Sequence, residues 1–361
     1  MRWVWCLLML LICVHARAET ILVISDLHMT ENSQDMVPVL QAIRNAAEEC
    51  DAVLVLGDHA NNGKPAEHAL VTDCLDSLAS QTGVRVYTVP GNHDLNRSFD
   101  RASYQEAYAA FGRNTAFSQD PASASCAVMT DLGTCLLLLD TNAVGEDDHV
   151  LPDGGISAET QDWLSQVLES VSADVPVLAC GHHPILPKAR EARTPGAQKT
   201  AEILMAYGVR LYLCGHDHGF YTVEENGLRE IVVGQPQAYP GMAGCLRVTD
   251  AGTEWHMQSL FREEDATFQV MKAASQDLAW RMGSGTLKGT RYENDTEAVQ
   301  WFTNAFMAYI EERLTEEVCS DLLMDANAQK WREIETRTVV RDWILGLLAS
   351  PPEPMQTLMI P

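Results

Sequence analysis

Short apolar runs rich in β-branched residues recur along the first two thirds of the chain. They lie at residues 21–24, 52–56, 84–89, 175–179 and 209–213. None alternates strictly between apolar and polar positions, which is typical of strands buried on both faces. The pattern therefore predicts five buried strands.

Segments with helical spacing of apolar residues lie between these runs. Residues 36–49 carry such a pattern, residues 65–80 open with a proline at a first-turn position, and Ser157 can cap a third helix. Strands that alternate with helices predict an α/β fold with a mainly parallel sheet. Because residues 126–140 look like an antiparallel hairpin, we expect the sheet to be mixed.

The pattern changes near residue 262, after which the chain is poor in strands and rich in helical spacing. Residues 294–297 can cap one amphipathic helix, and residues 339–347 form a second amphipathic run. The glycine-rich stretch 283–289 is predicted as flexible, and Pro351 and Pro352 are expected to end the last helix. We therefore predict a core domain at residues 19–262 and a helical C-terminal extension at residues 263–361.

The N-terminus has the features of a secretion signal. Arg2 precedes an apolar run at residues 3–14, and Ala16-Arg17-Ala18 fits a cleavage site. The run is shorter than the roughly 20 residues that a membrane-spanning helix needs. We therefore predict a cleaved signal peptide at residues 1–18, an exported and extracytoplasmic mature protein, and no stable membrane span.

The amino-acid composition disfavours one class of partner and one class of metal site. The 50 acidic residues outnumber the 25 lysines and arginines and give a formal net charge of −25, which repels polyanions, so no nucleic acid polymer is expected as a partner. The ten cysteines include no C-x-x-C pair, which disfavours a structural zinc site. Cys126 and Cys135 flank the predicted hairpin turn and could form a disulfide, but the sequence does not decide connectivity.

Each of the five predicted strands ends in residues that can bind metal ions. These are Asp26 and His28, then Asp58, then Asn92, His93 and Asp94, then His182 and His183, and finally His216 and His218. Ligands in open α/β sheets gather beyond the carboxyl ends of strands, so these five ends should converge. Imidazole nitrogens together with carboxylate and amide oxygens suit Mn, Fe, Zn or Co better than Ca²⁺.

The spacing within these groups is consistent with shared ions. In extended backbone, residues two apart face the same side, so Asp26 and His28 could bind one ion together. Taken alone, each short motif could occur without any function, as a chance Asp-x-His or as a pair of solvated histidines. Five of them in order, each after a buried strand, indicate a functional site.

Taken together, the five motifs resemble those of the calcineurin-like metallophosphoesterases, from about residue 20 to residue 248. The resemblance implies a four-layer α/β/β/α sandwich with mixed sheets. Residues 57–63 followed by residues 90–94 are similar to the bacterial branch of cyclic-nucleotide and glycerophosphodiester phosphodiesterases. The helical extension also resembles that of some exported bacterial members.

The resemblance also implies a set of ligands for two divalent or trivalent ions. The first ion would be held by Asp26, His28 and His218, the second by Asn92, His182 and His216, with Asp58 bridging both. His183 stands beside His182 and is the alternative ligand at that position.

The resemblance further implies roles in catalysis and in substrate binding. His93 corresponds to the family's catalytic histidine, and Asp94 is placed to orient it. Asn61 and Asn92 would contact the substrate phosphate. His59, next to Asp58, is expected to be an ordinary solvated side chain.

The sequence thus predicts metal-dependent hydrolysis of a small phosphodiester by a hydroxide that bridges two ions, with His93 assisting the leaving group. One alternative is a phosphomonoesterase with the same metal site. Another is a catalytically silent binding scaffold, which is disfavoured because this chain keeps every ligand and the histidine. The helical extension could cover the site or form an oligomer surface, and the sequence leaves both open.

Overall fold

The computed structural model describes residues 18–145, 149–187, 194–249, 251–311, 313–334, 338–351, 355 and 357–360. The predicted signal peptide therefore lies outside the described residues, apart from Ala18. The strands are β1 Glu19–Ile24, β2 Ala52–Val55, β3 Arg85–Thr88, β4 Ala116–Gln119, β5 Cys126–Met129, β6 Cys135–Leu138, β7 Val177–Cys180, β8 Leu211–Cys214, β9 Tyr221–Glu225, β10 Leu228–Val232, β11 Met242–Thr249, β12 Gly252–Ser259 and β13 Thr357–Ile360. The helices are α1 Val37–Ala47, α2 Pro65–Thr82, α3 Arg101–Ala107, α4 Ala158–Ser170, α5 Ala197–Ala206, α6 Ala266–Leu287, α7 Thr296–Ile310, α8 Glu316–Met324, α9 Ala326–Arg332 and α10 Val339–Ala349.

Two mixed sheets form the centre of the molecule. The first has the strand order β13-β12-β11-β1-β2-β3, and the second has the order β4-β5-β6-β7-β8-β10-β9. Strands β1, β2 and β3 run parallel, as do β6, β7 and β8, while β11 joins β1 antiparallel. The five predicted strands and the mixed sheet are confirmed, and so is the hairpin, which consists of β5 and β6.

Alternation along β1 explains the layered arrangement. Ile21 and Val23 pack with residues of the second sheet, whereas Leu22 and Ile24 pack on the other side with residues of α1 and α2. All four of these side chains are therefore buried, whichever face they occupy. Helices α4 and α5 contribute to the core on the second sheet. These layers give the α/β/β/α sandwich that the sequence predicts.

The hairpin register excludes the possible disulfide between Cys126 and Cys135. Cys126 lies opposite Leu138, whereas Cys135 lies opposite Met129, so the two thiols are at different levels of the ladder. Both are free and buried, and burial raises the pKa of each thiol to about 11. They are core side chains rather than a crosslink.

Five helices surround a core of their own in the described part of the C-terminal region. Asp295 caps α7 by accepting a hydrogen bond from the amide of Ala298, as the sequence predicts for residues 294–297. Within this core the ring of Trp331 stacks on Phe302 with centroids 5.0 Å apart, and its indole N–H donates to the Ala298 carbonyl at 2.9 Å. The boundary near residue 262 remains a prediction.

Two features of this region differ from the prediction. The stretch 283–289, expected to be flexible, lies mostly inside α6, where the absence of a side chain at Gly283 lets Phe302 of α7 approach closely. Strand β13, which was not predicted, pairs with β12 and returns the chain to the first sheet. In the part of the chain that the structure describes, no helix is long and apolar enough to cross a membrane.

Candidate metal centre

The predicted ligands meet where the two sheets face each other at their carboxyl ends. The loops that carry them follow β1, β2 and β3 of the first sheet and β7 and β8 of the second. Backbone bonds join the loops directly: the amide of Asp26 donates to the Gly57 carbonyl at 3.0 Å, and that of His28 donates to the Asp58 carbonyl at 2.9 Å. The convergence of the five strand ends is therefore observed.

Five of the ligand residues adopt left-handed backbone conformations. Their φ angles are 56° for Asp26, 45° for His28, 50° for Asp58, 72° for His216 and 56° for His218. The predicted extended backbone is thus wrong here, because the strands end before the ligands begin. Such conformations cost about 1–3 kcal/mol each in non-glycine residues and concentrate at functional sites.

One group of ligand atoms contains Asp26, His28, Asp58 and His218, all within 4.8 Å of one another. His218 Nε2 lies 3.4 Å from Asp26 Oδ1 and 3.1 Å from His28 Nε2. The structure therefore brings together the three residues predicted to hold the first ion. Asp58 adjoins them, with Oδ2 3.6 Å from His28 Nε2.

A second group contains His182, His183 and His216, and it adjoins Asn92 and Asp58. His216 Nδ1 lies 3.2 Å from Asn92 Oδ1, and His182 Nε2 lies 3.3 Å from Asp58 Oδ2. The Asp58 carboxylate therefore lies next to both groups, as a bridging ligand must.

The two adjacent histidines make different contacts. His182 donates from Nδ1 to the Leu56 carbonyl at 2.7 Å, which aims Nε2 at Asp58. His183 pairs through Nδ1 with the Thr141 hydroxyl at 2.8 Å, and its ring lies 4.6 Å from that of His216. This geometry favours His182 as the ligand, while His183 stands close enough to contribute to the second group.

The electrostatics favour positive charge between the carboxylates. Burial works against the charged forms of both Asp58 and His182, but their mutual attraction outweighs it. The pKa of Asp58 is lowered, and that of His182 is raised to about 10. The carboxylates of Asp58 and Asp26 therefore favour positive charge beside them.

The side-chain nitrogen and oxygen atoms of the candidate ligands are suited to binding metal ions. Several buried side-chain atoms have no hydrogen-bond partner among the described residues, namely Asp26 Oδ1, His28 Nδ1, His182 Nε2 and His183 Nε2. Leaving such atoms unpaired costs about 1–3 kcal/mol each. Mixed nitrogen and oxygen donors are typical of Mn, Fe, Zn or Co, and the geometry does not select among these metals.

His93 is exposed at the rim of the centre. Its backbone amide donates to Asp58 Oδ1 at 2.8 Å, and its Nδ1 donates to the Asn61 carbonyl at 2.7 Å. Its ring lies 4.8 Å from the ring of His28. The Asn61 backbone thus orients the imidazole, a contact that no side-chain motif could have indicated.

The carboxylate of Asp94 contacts two backbone amides and a histidine ring. Its carboxylate accepts hydrogen bonds from the amides of Ala60 and Gly91 at 2.9 and 2.8 Å and lies 3.5 Å from His59 Nδ1. Burial, with the nearby charge of Asp58, raises its pKa to about 6. Asp94 therefore joins the loops after β2 and β3, and its role in orienting His93 remains a prediction.

His59 is completely buried, so the expectation of a solvated side chain is wrong. It lies against Asp94 and against Tyr108, with ring centroids 5.1 Å apart, and burial lowers its pKa to about 4. His59 thus packs beneath the loop that carries His93 and Asp94. The side chain of Asn61 is half-buried at the edge of the centre, and its phosphate contact remains a prediction.

The chain is similar to several known proteins. The family model for calcineurin-like phosphoesterases matches residues 19–220. The chain is 28% identical to a glycerophosphodiester phosphodiesterase of Enterobacter lignolyticus, over 56% of this chain and 68% of that protein. It is also 28% identical to a cAMP/cGMP dual specificity phosphodiesterase of Mycobacterium tuberculosis, over 56% of this chain and 63% of that protein. The chain thus spans about two thirds of the length of these relatives.

A solved structure shares the fold. A dimetal phosphatase from Danio rerio superposes with a TM-score of 0.54 at 15% identity, covering 68% of this chain and 97% of the other.

Proposed function

The chain belongs to the calcineurin-like phosphoesterase family, and from that premise we propose that it hydrolyses a small phosphodiester of the cyclic-nucleotide or glycerophosphodiester type. Membership makes the protein a metal-dependent phosphoesterase. The preference for a diester is supported by two phosphodiesterase relatives and by Asn61 in the loop after β2.

The contacts of the Asp58 carboxylate are the observation that carries the proposal. One carboxylate lies 3.6 Å from His28 Nε2 in the first group and 3.3 Å from His182 Nε2 in the second. Asp26, His28, Asp58 and His218 would hold one ion, and Asp58, Asn92, His182 and His216 would hold the other. Bound there, the ions would polarise the phosphoryl oxygens and lower the pKa of water.

His93 supplies the proton for the departing oxygen. Because the Asn61 carbonyl can only accept, Nδ1 must carry a hydrogen, so Nε2 donates only when the ring is the imidazolium. The bond from the His93 amide to Asp58 keeps the ring at a fixed distance from the metal ligands. Proton donation of this kind contributes about 10²–10⁴-fold to a rate.

The test uses metal-reconstituted protein and four substrates: a monoester, a simple diester, a cyclic nucleotide and a glycerophosphodiester. Preference for either small diester supports the proposal, with His93→Ala as the control for contaminating activity. Preference for the monoester overturns the proposed specificity and favours a phosphomonoesterase.

We also propose that the protein acts after export. The charge and apolar run of residues 1–18 support this proposal. Sequencing the N-terminus of protein expressed with its full leader should give Glu19 as the first residue. Retention of Met1 on protein recovered from the cytoplasm would contradict export.

A further inference from the structure

A large cavity lies where the C-terminal helices meet the core, beside the metal centre. Its volume is about 1030 Å³. His218 forms one edge, the segment 235–242 and strand β12 form part of the wall, and α6 and α7 with the turn after α7 complete it. We call this space the junction cavity.

The walls of the junction cavity are held in place by Glu311. The Tyr239 hydroxyl donates to Glu311 Oε1 at 2.5 Å, Arg313 donates to Oε2, and Lys272 Nζ lies 3.6 Å from Oε1. Beneath these bonds, Tyr239 packs in an apolar cluster with Phe268 of α6 and Met307 of α7. The core loop and two helices of the extension therefore form one preformed wall.

The junction cavity borders the metal centre at His218. The side chain of His218 lines the cavity and is 47% exposed, although its Nε2 lies 3.4 Å from Asp26 Oδ1. The Tyr309 hydroxyl of α7 approaches the next residue and would lie 3.6 Å from a Cβ at Gly219. A phosphate bound at the ligands would therefore have the organic portion of its ester beside this opening.

The chemistry of the walls indicates what this organic portion is. Aromatic side chains line the cavity on several sides, namely Phe220, Tyr239, Phe261, Phe268 and Tyr309. The charged groups among the described lining residues balance, because Lys272 and Arg313 face Glu311 and Glu263 also lines the space. Both cations are engaged by Glu311, which disfavours a second phosphate as occupant. A glycerol group would leave most of this volume and its aromatic faces unused.

We propose that the junction cavity binds the organic portion of the substrate ester and that this portion is an uncharged aromatic group of nucleoside size. The C-terminal extension is then a specificity element of the enzyme, because α6 and α7 supply Phe268 and Tyr309. The inference rests on the proposed phosphodiesterase function and selects the nucleotide-like substrate over the glycerol-like one.

The test measures binding separately from hydrolysis. Adenosine, which carries no phosphate, and glycerol are titrated calorimetrically into the metal-reconstituted full chain. The variants are Phe268→Leu, which removes an aromatic wall, and Phe306→Leu, a matched control on α7 whose side chain does not line the cavity. Melting temperatures and metal contents of both variants establish that they are folded and loaded.

Adenosine should bind and glycerol should not. Phe268→Leu should weaken adenosine binding by about 3- to 10-fold and lower kcat/KM for a cyclic nucleotide by a similar factor, while Phe306→Leu changes neither. If Phe268→Leu fails to fold, Phe220→Leu replaces it with the same expectation of weaker binding.

The two proposals fail in different ways. If the protein hydrolyses a simple diester but shows no adenosine binding that depends on the wall residues, this inference is overturned and the proposed function stands. Wall-dependent adenosine binding without hydrolysis of any ester overturns the proposed function, and with it the assignment of the cavity to a substrate ester. Equal losses in Phe268→Leu and Phe306→Leu also overturn the inference, since they would reflect packing of the extension.

Discussion

The metal centre and the junction cavity lie side by side but are built in opposite ways. The metal centre is formed by carboxylates and imidazoles on strained loops at strand ends, buried at Asp26 and Asp58 and open at His93. The junction cavity is lined by aromatic side chains, of which Phe268 and Tyr309 lie on helices of the C-terminal region and the others on loops of the core. We therefore expect the reaction to depend on the metal centre and the choice of substrate to depend on the junction cavity. Substitutions in one region should leave the property of the other region unchanged.

The largest effect is expected at Asp58, whose carboxylate adjoins both ligand groups. Asp58→Asn should reduce metal content and lower turnover by at least about 10⁴-fold, because activation of water depends on the ions. Elemental analysis and diester hydrolysis measure both. Asp120→Asn is the matched control, since Asp120 is also buried but bonds to Ser123 and Thr160 away from the site. Full metal content in Asp58→Asn would contradict the bridging role.

A smaller effect is expected at His93, whose backbone amide donates to Asp58 and whose ring lies beside that of His28. His93→Ala should keep its metals and lose about 10²–10⁴-fold in turnover, because proton donation to the leaving oxygen is removed. Near wild-type turnover with metals bound would rule out His93 as the acid.

Substitution of Asn61 should separate substrate binding from metal binding. Its carbonyl orients His93, but only its side chain is proposed to contact phosphate. Asn61→Ala keeps the carbonyl, so metal content should be unchanged and kcat/KM should fall about 10- to 100-fold, the range for a hydrogen bond to a charged group. Steady-state kinetics measure this change. An unchanged kcat/KM would remove Asn61 from the substrate site.

The smallest effect is expected at the anchor of the cavity wall. Tyr239→Phe removes the hydroxyl that donates to Glu311 and should lower the free energy of unfolding by about 1–2 kcal/mol. Chemical denaturation measures this change, and metal content should not respond. Loss of metal in this variant would mean that the two regions are not separable.

The sequence anticipates the metal centre because each ligand follows a buried strand, and the carboxyl ends of such strands converge. Asp26, Asp58 and His182 are placed by that rule. The rule does not give backbone conformation, so the left-handed ligands were missed. Nor does it give backbone partners, so the contact between His93 and the Asn61 carbonyl was missed as well.

The junction cavity could not be predicted for a different reason. Tyr239 and Phe268 lie far from the ligand motifs, and each belongs to an ordinary apolar pattern. Only tertiary packing brings them to His218. The same applies to β13, whose residues pair with β12 only after the extension has folded back onto the sheet.

The most direct test of the central claim is a titration of metal-stripped protein with Mn²⁺, with hydrolysis of a simple phosphodiester followed at each step. Activity should be absent at the start, rise with added metal and reach its plateau at two ions per chain, and Asp58→Asn should stay inactive throughout. Full activity before any metal is added, or binding of two ions without hydrolysis of the diester, would contradict the account.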